Sequence, residues 1–213
     1  MSIENKLKAI TSSIPSDVTL VAVSKTKPNT DILSAYNAGQ RIFGENKVQE
    51  LKTKYKELPS DIQWHMIGHL QTNKVKSIAS FVSLIHTVDS IRLLQEIDKR
   101  AQQNNRVIDC LLQIHIAKES TKFGFKIEDV EKAIEESKEF KNITIKGLMA
   151  MATFTNDSKQ INKEFTSIHK LFKKIKTKTL NVLSIGMSSD YLLAINNGSN
   201  MVRLGSTIFG KRN

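Results

Sequence analysis

A chain of 213 residues with 39% hydrophobic and 25% charged residues has the composition of a globular protein, which excludes a disordered chain. Its apolar runs are far shorter than the roughly 18 residues of a membrane-spanning helix, and residues 1–6 lack a signal-peptide core, so we expect a cytoplasmic protein without a membrane partner. The net charge is +11, but the lysines are scattered among glutamates, which argues against a specific nucleic-acid partner.

Apolar, β-branched runs alternate with amphipathic segments along the chain. We predict strands over 18–23, 41–43, 62–67, 83–86, 109–116, 143–149, 180–185 and 201–204. We predict helices over 2–13, 30–38, 48–58, 72–80, 90–104, 127–139, 158–176 and 189–197. The densest lysine cluster, Lys170 to Lys178, is interleaved with apolar residues at helical spacing, so we interpret it as the solvated face of a helix.

The alternation of eight strands with helices, joined by mostly short connections, predicts parallel strands linked by crossovers. Such an eight-fold repeat closes most economically as a single (β/α)₈ barrel, and a doubly wound open sheet is the fallback. The sequence has three prolines and no low-complexity linker. We therefore predict one domain over residues 1–213.

The first strand ends in a lysine. The apolar run from Val18 to Val23 indicates a buried strand, and Lys25 follows it at the carboxyl end, where α/β proteins bind ligands. Burial lowers the pKa of a lysine toward the neutral amine, which forms Schiff bases with carbonyl compounds. The alternative is a lysine that extends from the strand end into water.

Polar residues also follow several other predicted strands. Asn46 follows the second strand, His65 and His69 the third, His86 the fourth, and His115 lies near the end of the fifth. The spacing of these histidines with acidic residues and cysteine makes no credible metal site, so we predict none. We interpret the histidines as residues of the barrel interior or rim, with their roles left open.

The seventh and eighth strands lead into glycine and hydroxyl residues. Residues 186–190, Gly-Met-Ser-Ser-Asp, precede a predicted helix, and amides and hydroxyls at a helix N-terminus favour a phosphate group. Residues 203–210 bring an arginine, a glycine and two hydroxyls to the next strand end. The alternatives are a helix cap at Ser188 to Asp190, a simple turn at Gly205, and a buried acidic partner for Arg203.

The lysine and the hydroxyl-rich loops lie on adjacent sectors of the predicted barrel. The eighth strand of a closed barrel pairs with the first, so the two loops meet at the same mouth. A ligand with a carbonyl at one end and a phosphate at the other would bridge them.

Six blocks of the sequence resemble the YggS/PROSC family of pyridoxal phosphate homeostasis proteins. They span nearly the whole chain, at residues 21–28, 43–50, 64–74, 147–151, 183–190 and 202–210. The resemblance implies a single barrel like the amino-terminal domain of alanine racemase. It also implies that this barrel holds pyridoxal 5'-phosphate (PLP) as a Schiff base on Lys25. It also implies cofactor-binding roles for Asn46, Ser188, Ser189, Arg203, Gly205 and Ser206.

The resemblance gives each of these residues a role. Arg203 matches the partner of the pyridine nitrogen, Asn46 matches a pocket residue near the ring, and the serines with Gly205 match the phosphate cradle. The chain departs from the usual family pattern at Lys47, where arginine is common, at His115, where asparagine is expected, and at Ser206, where threonine is usual. Ser206 keeps the hydroxyl of threonine, whereas His115 leaves the pocket edge open to question.

An arginine partner has a chemical consequence for activity. A guanidinium only donates, so it leaves the ring nitrogen unprotonated and weakens the ring as an electron sink. We therefore expect binding without turnover and no catalytic residues. The family resemblance implies a role in intracellular vitamin B6 and amino-acid homeostasis, with PLP-dependent apoenzymes as recipients of PLP, and we expect a monomer.

Two enzymatic alternatives stay open at this point. One is a small PLP-dependent amino-acid racemase using Lys25, Tyr191 or a pocket histidine. The other is a cofactor-free Schiff-base lyase that acts on a phosphorylated sugar through Lys25.

Overall fold

The computed structural model describes residues 1–117, 119 and 123–210, and these contain a closed barrel of eight parallel strands. The strands are β1 (Thr19–Val23), β2 (Ile42–Glu45), β3 (Gln63–Met66), β4 (Leu84–Val88), β5 (Ile108–Ile114), β6 (Ile143–Ala150), β7 (Val182–Met187) and β8 (Met201–Leu204). They pair in sequence order, and β8 pairs with β1. The predicted (β/α)₈ barrel is thus confirmed and the open sheet is wrong, while the single domain over 1–213 stays a prediction.

Helices connect the strands on the outside of the barrel. They are α1 (Ile3–Ser13), α2 (Asn29–Asn37), α3 (Val48–Glu57), α4 (Ile91–Gln103), α5 (Val130–Ser137), α6 (Ser158–Ile175), α7 (Tyr191–Asn196) and α8 (Ser206–Phe209), with short 3₁₀ helices at Thr72–Ser77 and Ile127–Asp129. Within the described part of the chain, no helix has both the length and the apolar character needed to cross a membrane.

Two helical predictions need correction, and one helix was not predicted. The segment predicted as a helix over 72–80 is a 3₁₀ helix over Thr72–Ser77, and the helix predicted to begin at residue 189 begins at Tyr191. The helix without a prediction is α8. A helix of four residues makes barely one turn, so it shows no helical periodicity in the sequence.

The barrel interior has an apolar lower part and a polar upper part. Val21, Leu84, Leu111, Met149 and Met201 form an apolar cluster inside the barrel, separate from the larger core between strands and helices. Side chains alternate between the two faces of each strand, so residues two positions further along these strands also point inward. Polar residues occupy several of these next positions, and they underlie the mouth at the carboxyl ends.

Closure of the barrel joins the two ends of the chain. Four residues of β1, from Thr19 to Ala22, pair in register with Met201 to Leu204 of β8. The segments that follow these strands therefore start side by side, although about 180 residues separate them in sequence.

Candidate ligand-binding site

A cavity of about 520 Å³ opens at the carboxyl ends of the strands. The residues that line it are Val23, Lys25, Lys27, Asn46, Ile67, Met151, Phe154, Met187, Ser188, Ser189, Arg203, Gly205, Ser206 and Gly210. These include all seven residues assigned to a ligand from the sequence, namely Lys25, Asn46, Ser188, Ser189, Arg203, Gly205 and Ser206. The structure brings them together, and their binding of a ligand stays a prediction.

Lys25 is half-buried on a turn directly after β1. Backbone and side-chain hydrogen bonds hold both of its neighbours. The buried Ser24 hydroxyl donates to Glu45 Oε1 at 2.6 Å, and the Thr26 amide donates to Glu50 Oε1 at 2.6 Å. Thr26 has a φ of 64°, in the left-handed region that β-branched residues rarely adopt.

A buried lysine connects these two carboxylates. Lys54 is only 5% exposed, and its Nζ donates to Ser24 O at 2.8 Å, Glu45 Oε1 at 2.8 Å and Glu50 Oε1 at 2.7 Å. Burial raises the pKa of Glu45, and the attraction of Lys54 opposes that change. We call Ser24, Glu45, Glu50 and Lys54 the turn network.

The turn network was not predicted from the sequence, although the position of Lys54 on an apolar helix face indicates it. Leu51, Lys54 and Leu58 follow one another at the spacing of a single helix face, and all three are buried. A lysine on an apolar face next to an i,i+4 glutamate is a candidate for a buried ion pair.

The loops after β7 and β8 also line the cavity. The Gly205 amide donates to the Ser188 hydroxyl at 3.1 Å, which ties the two loops together. The Met187 amide donates to Asp190 Oδ1 at 2.6 Å, and burial raises the pKa of Asp190 despite this bond. Because α7 and α8 have six and four residues, their first turns contribute amide groups and hydroxyls more than a strong helix dipole.

Gly186 allows α7 to pack against the end of β7. It has a φ of 99°, and an added Cβ would lie 2.6 Å from Ala194 Cβ and 3.0 Å from Tyr191 Cα. Packing of α7 on β7 therefore requires glycine at this position.

Arg203 lies buried at the base of the cavity. Its Nη1 donates to the Ser184 carbonyl and hydroxyl, each at 2.7 Å, and its Nη2 donates to Ala150 O at 3.1 Å. Burial lowers its pKa to about 10, so the side chain stays charged at neutral pH. Among the described residues, the hydrogen-bond partners of Arg203 are these neutral groups. They include no carboxylate, so the alternative of a hydrogen-bonded buried acid is not met.

A chain of hydrogen bonds leads from Arg203 into the barrel interior. The Ser184 hydroxyl is 3.2 Å from His86 Nδ1, and His86 Nε2 is 3.0 Å from His65 Nδ1. Arginine only donates, so the Ser184 hydroxyl accepts from it. When that hydroxyl donates to His86 Nδ1, the protons of both neutral imidazoles lie on Nε2. Burial lowers the pKa of His65 to about 3. The pKa of His86 lies well below its ordinary value because of burial, with smaller contributions from His65 and Arg203.

His69 and His115, like His65 and His86, lie outside the cavity lining. His69 Nδ1 is 3.2 Å from Asp89 Oδ2, and its ring stacks on Phe123. His115 Nε2 is 3.0 Å from the carbonyl oxygen of Glu119. His65 and His86 are buried in the barrel interior, whereas His69 and His115 are exposed and partly exposed just beyond the ends of β3 and β5. These positions match the interpretation of the four histidines as residues of the barrel interior or rim.

Comparison with known proteins gives a consistent result. The family model described as the alanine racemase N-terminal domain matches residues 1–213. A pyridoxal phosphate homeostasis protein of Helicobacter pylori is 42% identical over 195 residues, which cover 90% of this chain and 87% of that protein. The resemblance identified from the sequence motifs is thus confirmed.

Solved structures agree with the family match. PipY of Synechococcus elongatus, determined with PLP bound, superposes with a TM-score of 0.88 at 32% identity, covering 98% of this chain and 100% of that chain. An alanine racemase of Clostridium difficile superposes with a TM-score of 0.80 at 13% identity, over 99% of this chain but 57% of that chain. This second likeness concerns the fold alone.

Substitution of Gly186 tests the packing that shapes the loop after β7. We expect Gly186→Ala to lower the free energy of unfolding by about 1–3 kcal/mol more than Gly39→Ala, because only the first adds a steric clash. Both glycines have a φ near 100°, and an added Cβ at Gly39 meets no atom within 4 Å. Denaturant unfolding measures both values, and equal losses would contradict a packing role for Gly186.

The buried histidine chain predicts a pH dependence of stability. The folded protein keeps His65 neutral down to about pH 3, whereas the unfolded chain takes up its proton below the ordinary value of 6.5. His65 thus makes the free energy of unfolding fall with decreasing pH in this window, by up to about 1.4 kcal/mol per pH unit.

Urea unfolding of the parent and of His65→Asn between pH 6.5 and 5 measures this contribution. The variant keeps an acceptor for His86 but cannot titrate, so its stability should fall less steeply with decreasing pH. Parallel curves for the two proteins would contradict the buried, neutral state of His65.

Proposed function

We propose a function for this chain from the premise that it belongs to the family of alanine racemase N-terminal domains and, within it, to the pyridoxal phosphate homeostasis proteins. The protein holds PLP as a Schiff base on Lys25 and takes part in intracellular vitamin B6 and amino-acid homeostasis without turnover. Ser188, Ser189, Gly205 and Ser206 hold the phosphate, and Arg203 faces the ring nitrogen.

One observation carries this proposal. A lysine amine and a set of hydroxyl and amide donors line the same cavity from neighbouring strands, because β8 closes onto β1. A ligand that presents an aldehyde and a phosphate uses both groups of residues at once. The volume of about 520 Å³ lies within the roughly 300–1,000 Å³ of small-molecule sites.

The residues present fit PLP. Asn46 Oδ1 is buried and lacks a hydrogen-bond partner among the described residues, so it is placed to accept a hydrogen bond from a ligand. The bonds from Arg203 to Ser184 and Ala150 use three of its five N–H groups, within the part of the chain described, and leave two for a ring nitrogen. An added Cβ at Gly205 would make only ordinary contacts at 3.4 Å with Val23, so packing alone does not demand glycine there.

When bound, PLP supplies an aldehyde for the Schiff base and a pyridine ring that withdraws electrons most strongly when its nitrogen is protonated. Arg203 supports the binding role over that of a catalyst. Its pKa of about 10 keeps it charged at neutral pH, and as a pure donor it leaves a ring nitrogen as the acceptor.

The cavity lining also supports binding without turnover. Besides Arg203, the titratable side chains among its described lining residues are Lys25 and Lys27. His65 and His86 are buried in their own hydrogen-bond chain, and neither they nor Tyr191 line the cavity. Proton removal from a bound amino acid needs a positioned acid and base, and the lining offers only lysines for it.

The mouth of the cavity supports transfer of PLP to apoenzymes. Phe154 lines it and is 95% exposed, yet its amide donates to Glu119 Oε1 at 2.9 Å, and the preceding Thr153 is bonded twice to Glu164. An aromatic side chain held in solvent at the exit of a site is suited to contact a recipient protein. The monomeric state and the cytoplasmic location stay predictions.

A spectrum of the PLP-loaded protein tests the covalent bond. We expect a visible Schiff-base band in the parent and in Lys52→Ala, an exposed control on α3, and none in Lys25→Ala. Borohydride reduction followed by peptide mass mapping should locate the adduct on Lys25. An adduct on another lysine, or a band in Lys25→Ala, would overturn the assignment.

Racemisation assays test the absence of turnover. We expect the loaded protein to racemise alanine at less than roughly 1 s⁻¹, the lower end of ordinary enzyme rates. The Lys25→Ala variant gives the background. A parent rate well above that limit would establish the racemase alternative, and aldol cleavage of a phosphorylated sugar without PLP would establish the lyase.

A further inference from the structure

We propose that Glu50 and Lys54 are positioning residues for Lys25, acting through the backbone on both sides of it. This inference rests on the proposed function, because it concerns the amine that forms the Schiff base. It assigns a task to charges that lie outside the cavity lining.

The turn network contacts the chain immediately before and after Lys25. Lys54 Nζ donates to the carbonyl of Ser24, and Glu50 Oε1 accepts from the amide of Thr26, at 2.8 and 2.6 Å. The two residues are one helical turn apart on α3 and bond to each other at 2.7 Å. A single helix thus fixes both peptide groups that flank Lys25.

The conformation of Thr26 explains why this turn needs to be held. Its φ of 64° lies in the left-handed region, which is unfavourable for a β-branched residue. Strained backbone persists where surrounding contacts impose it, often at functional sites. Without the bond from Glu50, the turn is free to relax, and the Cα–Cβ direction of Lys25 changes with it.

Stability alone is a poor explanation for the turn network. Lys54 and Glu45 are nearly fully buried, and an ion pair in such a place loses its hydration, which often cancels the attraction of the charges. Every N–H of the ammonium is used, on Ser24, Glu45 and Glu50. This geometry fixes the direction of the turn around Lys25. Specifying one conformation is the best attested benefit of buried ion pairs.

The reaction at Lys25 is sensitive to that direction. Its neutral nitrogen attacks the aldehyde carbon, a C=N bond replaces the C=O bond, and one water leaves. A displacement of about 1 Å at a reacting group can reduce a rate or an equilibrium strongly, on the order of tenfold or more.

The test uses Glu50→Ala and its conservative counterpart Glu50→Gln. Glu50 is partly exposed, and its removal leaves Lys54 and Glu45 as a balanced pair, so the variant should fold. Two ligands separate the effects: PLP, and pyridoxine 5'-phosphate, which has an alcohol in place of the aldehyde and binds without a covalent bond.

We expect Glu50→Ala to lower the equilibrium constant for Schiff-base formation about tenfold and to change the visible circular dichroism of bound PLP. Its affinity for pyridoxine 5'-phosphate should match that of the parent. Glu50→Gln keeps an acceptor for the Thr26 amide and should restore most of the loss. Glu57→Ala, an exposed carboxylate on the same helix, should bind both ligands like the parent.

Distinct results overturn the inference and the proposed function. If the parent forms no Schiff base at Lys25, the proposed function fails. If the parent forms it and Glu50→Ala forms it equally well, the positioning role fails alone. A parallel loss of affinity for both ligands would show that Glu50 supports the whole cavity, and would also overturn the positioning role.

Discussion

The pairing of the first strand with the last is the constraint on which the site depends. Residues Thr19 to Ala22 lie in register with Met201 to Leu204, so the loops that follow β1 and β8 emerge together. Lys25 and Gly205 belong to these two loops and line one cavity. In an open sheet these strands would be separate edges, and the amine and the hydroxyl cradle would lie far apart. Closure of the barrel is therefore what converts two weak sequence signals into one site.

Layering inside the barrel then decides what the site can contain. The lower layer is apolar, with residues such as Val21 and Met201, whereas two positions further along β8 the inward residue is Arg203. A buried guanidinium is tolerated only when its donors are used, and Ser184, His86 and the backbone of Ala150 extend the necessary hydrogen bonds into the interior. The low pKa of His65 keeps this chain neutral, so the charge of Arg203 is the one that faces the cavity from below.

Much of this arrangement follows from local sequence pattern, and the remainder depends on contacts between distant residues. Eight apolar runs and their polar ends predicted the barrel and placed Lys25, Asn46 and Ser188 at its mouth. The turn network escaped because it joins Ser24 to Lys54, 30 residues away, and only the buried position of Lys54 on a helix face hinted at it. The hydrogen-bond chain from Arg203 escaped for the same reason, since Ala150 lies 53 residues from Arg203, and His86 lies 98 residues from Ser184. A four-residue helix such as α8 is too short to produce a period.

If PLP binds as proposed, Lys25 and Arg203 would act on it in different ways that together suit storage better than chemistry. Under the proposed function, Lys25 would capture the aldehyde with loss of water, a reaction that reverses without any further catalyst. At the base of the cavity, Arg203 would leave a ring nitrogen unprotonated and so withhold the electron sink that carbanion formation needs. The phosphate group does not change during a reaction at the aldehyde. Contacts to it therefore add affinity without favouring a transition state. A site with strong capture, easy reversal and a weak electron sink is suited to hold a reactive cofactor and give it up intact.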